Sequence, residues 1–432
     1  MPREESLANF EGKRRANSAG RGFLALVGLA LCGLLLQGCV ALQARHPLPE
    51  DLEDQAQVAG FPNVRAWGDV YSESLQESGI ESVKQELAAN HGKLDPEVSF
   101  LLLSGGGGDG AFGAGILCGW TAAGTRPQFK LVTGISTGAL IAPFAFLGPE
   151  YDPKLKAAYT TISDKDIYTV PSKLKLLINL GRIESVANTE PLAKLLERLI
   201  DEKMLQAIAA EHNKGRRLLV GTTQLDAQRL VIWNMGALAA SGRPDALKLF
   251  RRILRASASI PVAFNPVYIK VQAGGQEYDE MHVDGGVMAE VMLYENAISF
   301  LTARKELGSL ISNRSRHVYI IRNAQIYPEY ESVKPKIGSI GARAITSLTK
   351  SQGMGDLYRI YVLALRDELD YNLAFIPKDF HPKRASEFDT NYMDQEFNMA
   401  YNLASSGYQW SKWPPGFVPA NLHPISGQQV QP

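Results

Sequence analysis

Twice between residues 98 and 147 the chain runs a short apolar stretch directly into a glycine turn and then into a helical pattern. Residues 98–103 lead into Ser104-Gly105-Gly106-Gly107-Gly108-Asp109-Gly110 and a helix expected over 110–123. Residues 130–135 lead into Gly134-Ile135-Ser136-Thr137-Gly138 and a helix expected over 137–147. Apolar runs of this kind suit strands covered on both faces of a sheet. Strand, tight turn and helix, repeated, is the pattern of parallel α/β architecture. Further strands are expected at 217–222, 230–234, 267–271 and 317–321, with helical periodicity at 190–211 and 245–256.

The remaining chain divides by composition. Arg3, Lys13, Arg14, Arg15 and Arg21 precede an apolar run over 23–36, which is shorter than the roughly 20 residues a spanning helix needs and reads as the apolar part of a signal peptide. It ends in Leu36-Gln37-Gly38-Cys39, which resembles the lipobox of bacterial lipoproteins. That resemblance implies a signal over 1–38, a palmitate-bearing lipid on Cys39 and attachment to a membrane of the bacterial cell envelope. With Cys32 removed and Cys39 lipidated, Cys118 has no partner for an intrachain disulfide. Residues 39–95 read as a linker and N-terminal helical extension, 96–325 as the catalytic domain and 326–432 as a C-terminal helical extension. With 45% hydrophobic and 21% charged residues the chain can build a core by packing alone. Lys plus Arg and Asp plus Glu number 45 each, so nothing in the charge points to nucleic acid.

A serine hydroxyl becomes a nucleophile when a base takes its proton and the backbone exposes Oγ, which a G-x-S-x-G turn between strand and helix provides. Ser136 is so placed, with Gly134 and Gly138 allowing strand and helix to approach. Backbone N–H groups of the loop at Gly105, Gly106, Gly107, Gly108 and Gly110 open a helix and suit an anion or oxyanion. A dinucleotide loop also fits G-x-G-x-x-G, but it wants an acidic residue about 20 positions on. None occurs from Ala111 to Pro149. Val283-Asp284-Gly285-Gly286 supplies a carboxylate at the end of a possible strand. His282 shares its strand and His317 lies near another; both read as structural. No cluster has metal-ligand spacing, and no cofactor is implied.

Together these elements resemble the patatin-like phospholipase family: a glycine-rich oxyanion loop, a G-x-S-x-G nucleophile and a late Asp-Gly-Gly/Ala. The segment Ala256-Ser257-Ala258-Ser259-Ile260-Pro261 and residues 218–236 also resemble family segments. The resemblance implies a patatin-like three-layer α/β/α sandwich, a Ser136–Asp284 dyad, oxyanion donors chiefly from Gly106, Gly107 and Gly108, and a membrane lipid ester as substrate. A lipid-binding or scaffolding lipoprotein without turnover is the alternative. One departure is Asp109, where many members carry Arg or Lys. An inward carboxylate there opposes a developing oxyanion, so Asp109 is expected either to face away, capping the next helix, or to sit in a different charge balance. The apolar and lysine-bearing stretch from Ser172 to Ile183 reads as a core helix, or as a lid over the site.

Overall fold

Leu101 and Leu103 pack into one hydrophobic core and Leu102 into another on the opposite side, so the first apolar run is covered on both faces. The computed structural model describes residues 45–172, 183–294 and 296–417. The signal segment, Cys39 and residues 173–182 of the lid-like stretch lie outside them.

Nine strands form one mixed sheet: β1 (Arg65–Trp67), β2 (Glu97–Leu103), β3 (Phe129–Ile135), β4 (Arg217–Gln224), β5 (Arg229–Asn234), β6 (Val267–Ala273), β7 (Gln276–Asp284), β8 (Ser315–Arg322) and β9 (Asp370–Phe375). Their order is β1-β5-β4-β3-β2-β8-β9, with β7 joined to both β4 and β6. The centre, β4-β3-β2-β8-β9, is parallel, whereas β1, β5, β6 and β7 pair antiparallel. Packed against it are α1 (Glu73–Ala89), α2 (Gly110–Ala122), α3 (Thr137–Leu147), α4 (Asp152–Thr160), α5 (Glu190–Leu199), α6 (Glu202–Asn213), α7 (Ala246–Ser257), α8 (Ile337–Arg366) and α9 (Thr390–Ser405). One face carries α2, α3 and their neighbours, and the other carries Leu357, Ile360 and Leu363 of α8. The result is the expected three-layer α/β/α sandwich.

Two expectations need adjustment. Helical periodicity over 190–211 resolves into α5 and α6, because the Asp201 side chain accepts the Met204 N–H at 2.8 Å and starts a new helix. The two flanking segments are also more than extensions: β1 lines one edge of the sheet and β9 the other. A three-residue strand has too few positions to show alternation. β9 reads Asp-Tyr-Asn-Leu-Ala-Phe, without a long apolar run.

Helix α9 lies across α2 at a contact made by two glycines one turn apart. A Cβ on Gly115 would stand 2.4 Å from the Phe397 carbonyl oxygen, and one on Gly119 would stand 2.3 Å from that of Tyr401. Helical glycine costs about 1 kcal/mol relative to alanine, so close packing has overridden propensity here. Gly115→Val is therefore expected to lower the unfolding free energy by about 1–3 kcal/mol, since backbone must move to admit the side chain. Urea denaturation with an unchanged m-value checks this, and equal stability would show that the α2–α9 contact is not tight.

Candidate active site

β3 runs parallel to β4 and stops at Ile135, opposite Gly221. β7 runs antiparallel to β4 and stops at Asp284, opposite Thr222. Two consecutive residues of β4 thus hold the strand ends that carry Ser136 and Asp284. The Ser136 hydroxyl donates to Asp284 Oδ2 at 2.6 Å, across 148 positions of sequence.

Ser136 adopts φ +53°, a conformation unfavourable for a residue with a side chain. Its surroundings over-determine that geometry. The Ser136 N–H donates to Ser257 Oγ at 3.0 Å, and Ser257 donates in turn to the Gly221 carbonyl at 2.6 Å. A Cβ on Gly138 would lie 2.2 Å from the Leu103 carbonyl oxygen, so only glycine lets α3 start this close to the end of β2. Gly134 meets the same limit against Gly138 and Ala139. Tyr159 bonds both the Thr137 hydroxyl, at 2.6 Å, and the Thr137 carbonyl, at 3.2 Å.

Asp284 is 5% exposed. Burial pushes its carboxyl up to about 7, aided by nearby Glu290 and opposed by the hydrogen bonds from Ser136 and the Gly286 N–H. Gly285 packs against the Gly221 carbonyl, where a Cβ would come within 2.6 Å. The Glu290 carboxylate borders both halves of the site. A Cβ on Gly105 would lie 3.2 Å from Glu290 Oε2 and 3.3 Å from Ser136 Cβ, and one on Gly286 would lie 2.6 Å from Glu290 Oε1. Arg322 holds Glu290 at 2.7 Å and reaches the Gly105 carbonyl at 3.3 Å.

The glycine loop divides by function. Gly105 donates its N–H to the Glu290 carbonyl at 2.9 Å, and the Gly110 N–H is taken up by the carbonyls of Gly107 and Gly108. These two shape the loop and are not available to an oxyanion, which corrects the wider assignment from sequence. The Gly108 N–H has a long contact, 3.4 Å, to Glu387 Oε1. Gly106 and Gly107 have no backbone N–H acceptor among the described residues. Gly106 has φ +155° and sits where a Cβ would be 2.0 Å from the Asn323 carbonyl oxygen. Asn323 braces the loop by donating to Ser104 Oγ and the Ser104 carbonyl, each at 2.8 Å, and by accepting from the Gly113 N–H at 3.0 Å.

Asp109 does not cap α2 through its side chain. It pairs with Arg384 at 2.7 Å, and burial, only partly offset by that guanidinium, raises its carboxyl to about 7. Arg384 also pairs with Glu387 at 3.0 Å. Of the expected alternatives, the different charge balance is the one observed. His282 is fully buried, bonded to Thr222 Oγ1 at 2.9 Å and to Glu280 Oε2 at 3.1 Å. His317 pairs with Asp370 near the opposite end of β8. Cys118 is a buried free thiol pushed up to about 12 by desolvation.

Sequence reasoning missed Glu290, Arg322, Asn323, Arg384 and Glu387. Asn323 follows an expected strand and could have been found at its end. Arg384 and Glu387 carry no local signal.

The site thus brings together a strained serine between strand and helix, a carboxylate on its hydroxyl and loop N–H groups beside it. Residues 101–295 match the family model for patatin-like phospholipase, and the segment that carries the site is a patatin-like phospholipase domain. At the level of the family it is a lipid acyl hydrolase domain. Comparison with curated proteins finds no match. Among solved structures, VipD from Legionella pneumophila is 12% identical, with a TM-score of 0.35 over 74% of this chain and 69% of that one. ExoU of Pseudomonas aeruginosa, solved with SpcU, is 14% identical with a TM-score of 0.35, over 73% of this chain and 52% of its own. Human GIVD cytosolic phospholipase A2 is 9% identical with a TM-score of 0.34, over 81% and 64%.

The raised Asp284 carboxyl has a consequence for stability. A native carboxyl above its unfolded value favours folding when protonated, so that contribution is complete below about pH 4 and lost as pH rises towards 7. Asp284→Asn is expected to stabilise the protein by on the order of 2 kcal/mol at pH 8 and by little at pH 4. Thermal unfolding at the two pH values checks this; equal effects at both would remove the buried charge as the cause.

Proposed function

We propose that the chain is a serine acyl hydrolase that cleaves membrane phospholipid or lysophospholipid esters through a Ser136–Asp284 dyad. The observation that carries this reading is the 2.6 Å hydrogen bond from a serine at φ +53° to a buried carboxylate. Ionised Asp284 takes the Ser136 proton as Oγ bonds to the acyl carbon. The N–H groups of Gly106 and Gly107 receive the charge that develops on the carbonyl oxygen. As the bond to the lipid alcohol breaks, Asp284 returns the proton to the leaving oxygen. Water then attacks the acyl-enzyme, Asp284 accepts its proton, and the fatty acid leaves with Ser136 restored. A base near pH 7 is matched to this cycle, because it is partly ionised at neutral pH and still strong enough to accept a proton.

Arg384 answers the charge problem raised by Asp109. The pair at 2.7 Å removes most of the carboxylate field from the loop, so Asp109 does not oppose an oxyanion as a free charge would. Substrate class rests on the family. The segment ending at Cys39 supports lipidation there and a place at the bacterial cell envelope, where such esters are plentiful.

Ser136→Ala and Asp284→Asn are each expected to lower hydrolysis of a phospholipid panel by about 10³-fold or more. Wild type should form a fluorophosphonate adduct at Ser136, with a rate that falls as pH drops through about 7. A folded wild-type protein that forms no adduct would favour the silent lipid-binding alternative. Full activity in both variants would sink the dyad.

A further inference from the structure

Helix α8 carries two apolar stripes on opposite sides. Leu357, Ile360, Leu363 and Ala364 face the core in its second half. Positions 337, 340, 344, 348, 351, 355, 358, 362 and 365 follow each other at intervals of three or four, the spacing of one helix face, and all are exposed. Seven of these are apolar or aromatic: Ile337, Ile340, Ala344, Leu348, Tyr358, Val362 and Leu365. Ile337 is 94% exposed and Leu348 70%, where a soluble surface would ordinarily be polar.

Charge tells what covers this stripe. Between Ile337 and Arg366 stand Arg343, Lys350, Arg359 and Arg366 against a single acid, Asp356, which is buried on the core side. Lys334 and Lys336 precede the helix and are exposed. Glu331 pairs with Arg343 and Glu329 with Lys350 beside the stripe, not on it. Arg359 and Arg366 pair with Asp356 and Asp367; the acids are buried, whereas the two arginine side chains stay about half exposed. An apolar face flanked by cations matches an anionic lipid surface. It opposes a second copy of the same helix, which would bring like charges together. Among the described residues no helix is long and apolar enough to cross a membrane.

We propose that the exposed stripe of α8 is the face by which this protein rests on an anionic bilayer, independently of any lipid on Cys39. The same helix grips the active site from its other side. Asp356 accepts the N–H groups of Glu290, at 2.7 Å, and of Val291, at 3.3 Å, just beyond the Asp-Gly-Gly turn. Gly353 packs against the Arg322 guanidinium that holds Glu290. A bilayer under α8 is thereby coupled by short contacts to the loop behind the dyad.

The test uses the full chain with Ser136→Ala, so that vesicles are not hydrolysed, and with Cys32 and Cys39 changed to serine. An environment-sensitive fluorophore is placed on Leu348→Cys in the stripe, or on Thr346→Cys on the opposite side of the helix. Vesicles of phosphatidylcholine with phosphatidylglycerol should shift the Leu348 probe to the blue and leave the Thr346 probe unchanged. The double change Ile340→Glu with Val362→Glu should weaken the Leu348 response at least tenfold in lipid concentration, with circular dichroism unchanged. A Leu348 probe that stays in water with vesicles overturns the proposal. So does a blue shift without vesicles that grows with protein concentration, which would assign the stripe to self-association. Because the readout uses no turnover, its failure leaves the hydrolase reading untouched.

Discussion

Everything at the candidate active site depends on two neighbouring residues of β4. Gly221 fixes the end of β3 and Thr222 the end of β7, so the strands bearing Ser136 and Asp284 run head to head against one backbone. The seam leaves no room for side chains. A Cβ on Gly221 would come within 2.4 Å of Ile135, and Gly285 lies against the Gly221 carbonyl. That carbonyl also accepts from Ser257, the acceptor for the Ser136 N–H. The strained serine is held by its neighbours' hydrogen bonds rather than by its own preference. The proposed dyad needs no third group to orient its base, because Asp284 is already the last residue of a paired strand. An imidazole in the usual triad must instead be steered by a separate acid.

Burial rather than net charge governs the chemistry around this seam. Asp284 and Asp109 are both raised to about 7, and Glu396 stands well above the ordinary carboxylate range, in each case chiefly through loss of water. The region around the loop therefore carries less negative charge than its composition suggests. Arg384 is left with enough field to offset Asp109.

The centre of the fold was legible because buried parallel strands write themselves as apolar runs and their turns as glycine. The Gly-Ile-Ser-Thr-Gly turn, the glycine loop and the Asp-Gly-Gly turn stand out on those signals, and the boundaries of β2, β3 and β5 fell within one residue of the expected ones. What could not be read was anything requiring distant segments to meet. Glu290 looked like one more acid after the Asp-Gly-Gly turn, yet its side chain closes against Gly105. Which loop N–H groups are spent, and which remain, is set by a carbonyl 185 positions away. Arg384 lies 275 positions from Asp109 in a stretch of turns, so no local pattern could join them. The edge strands failed for a different reason: short strands at a sheet margin need few apolar residues.

The order of the sheet makes the site a late product of folding. β2 cannot gain its second neighbour until β8 exists, and β8 in turn is an open edge until β9 reaches it from residues 370–375. Arg384 and the α9 glycine contact come later still along the chain. Parallel pairings over such separations pay their loop-closure entropy before any contact rewards it, so they form slowly. A partly synthesised chain therefore contains the Gly-Ile-Ser-Thr-Gly turn long before it contains the scaffold that strains it. The Ser136–Asp284 hydrogen bond has to wait for β7, and the partners that brace the glycine loop, Asn323 and Arg384, are made later still.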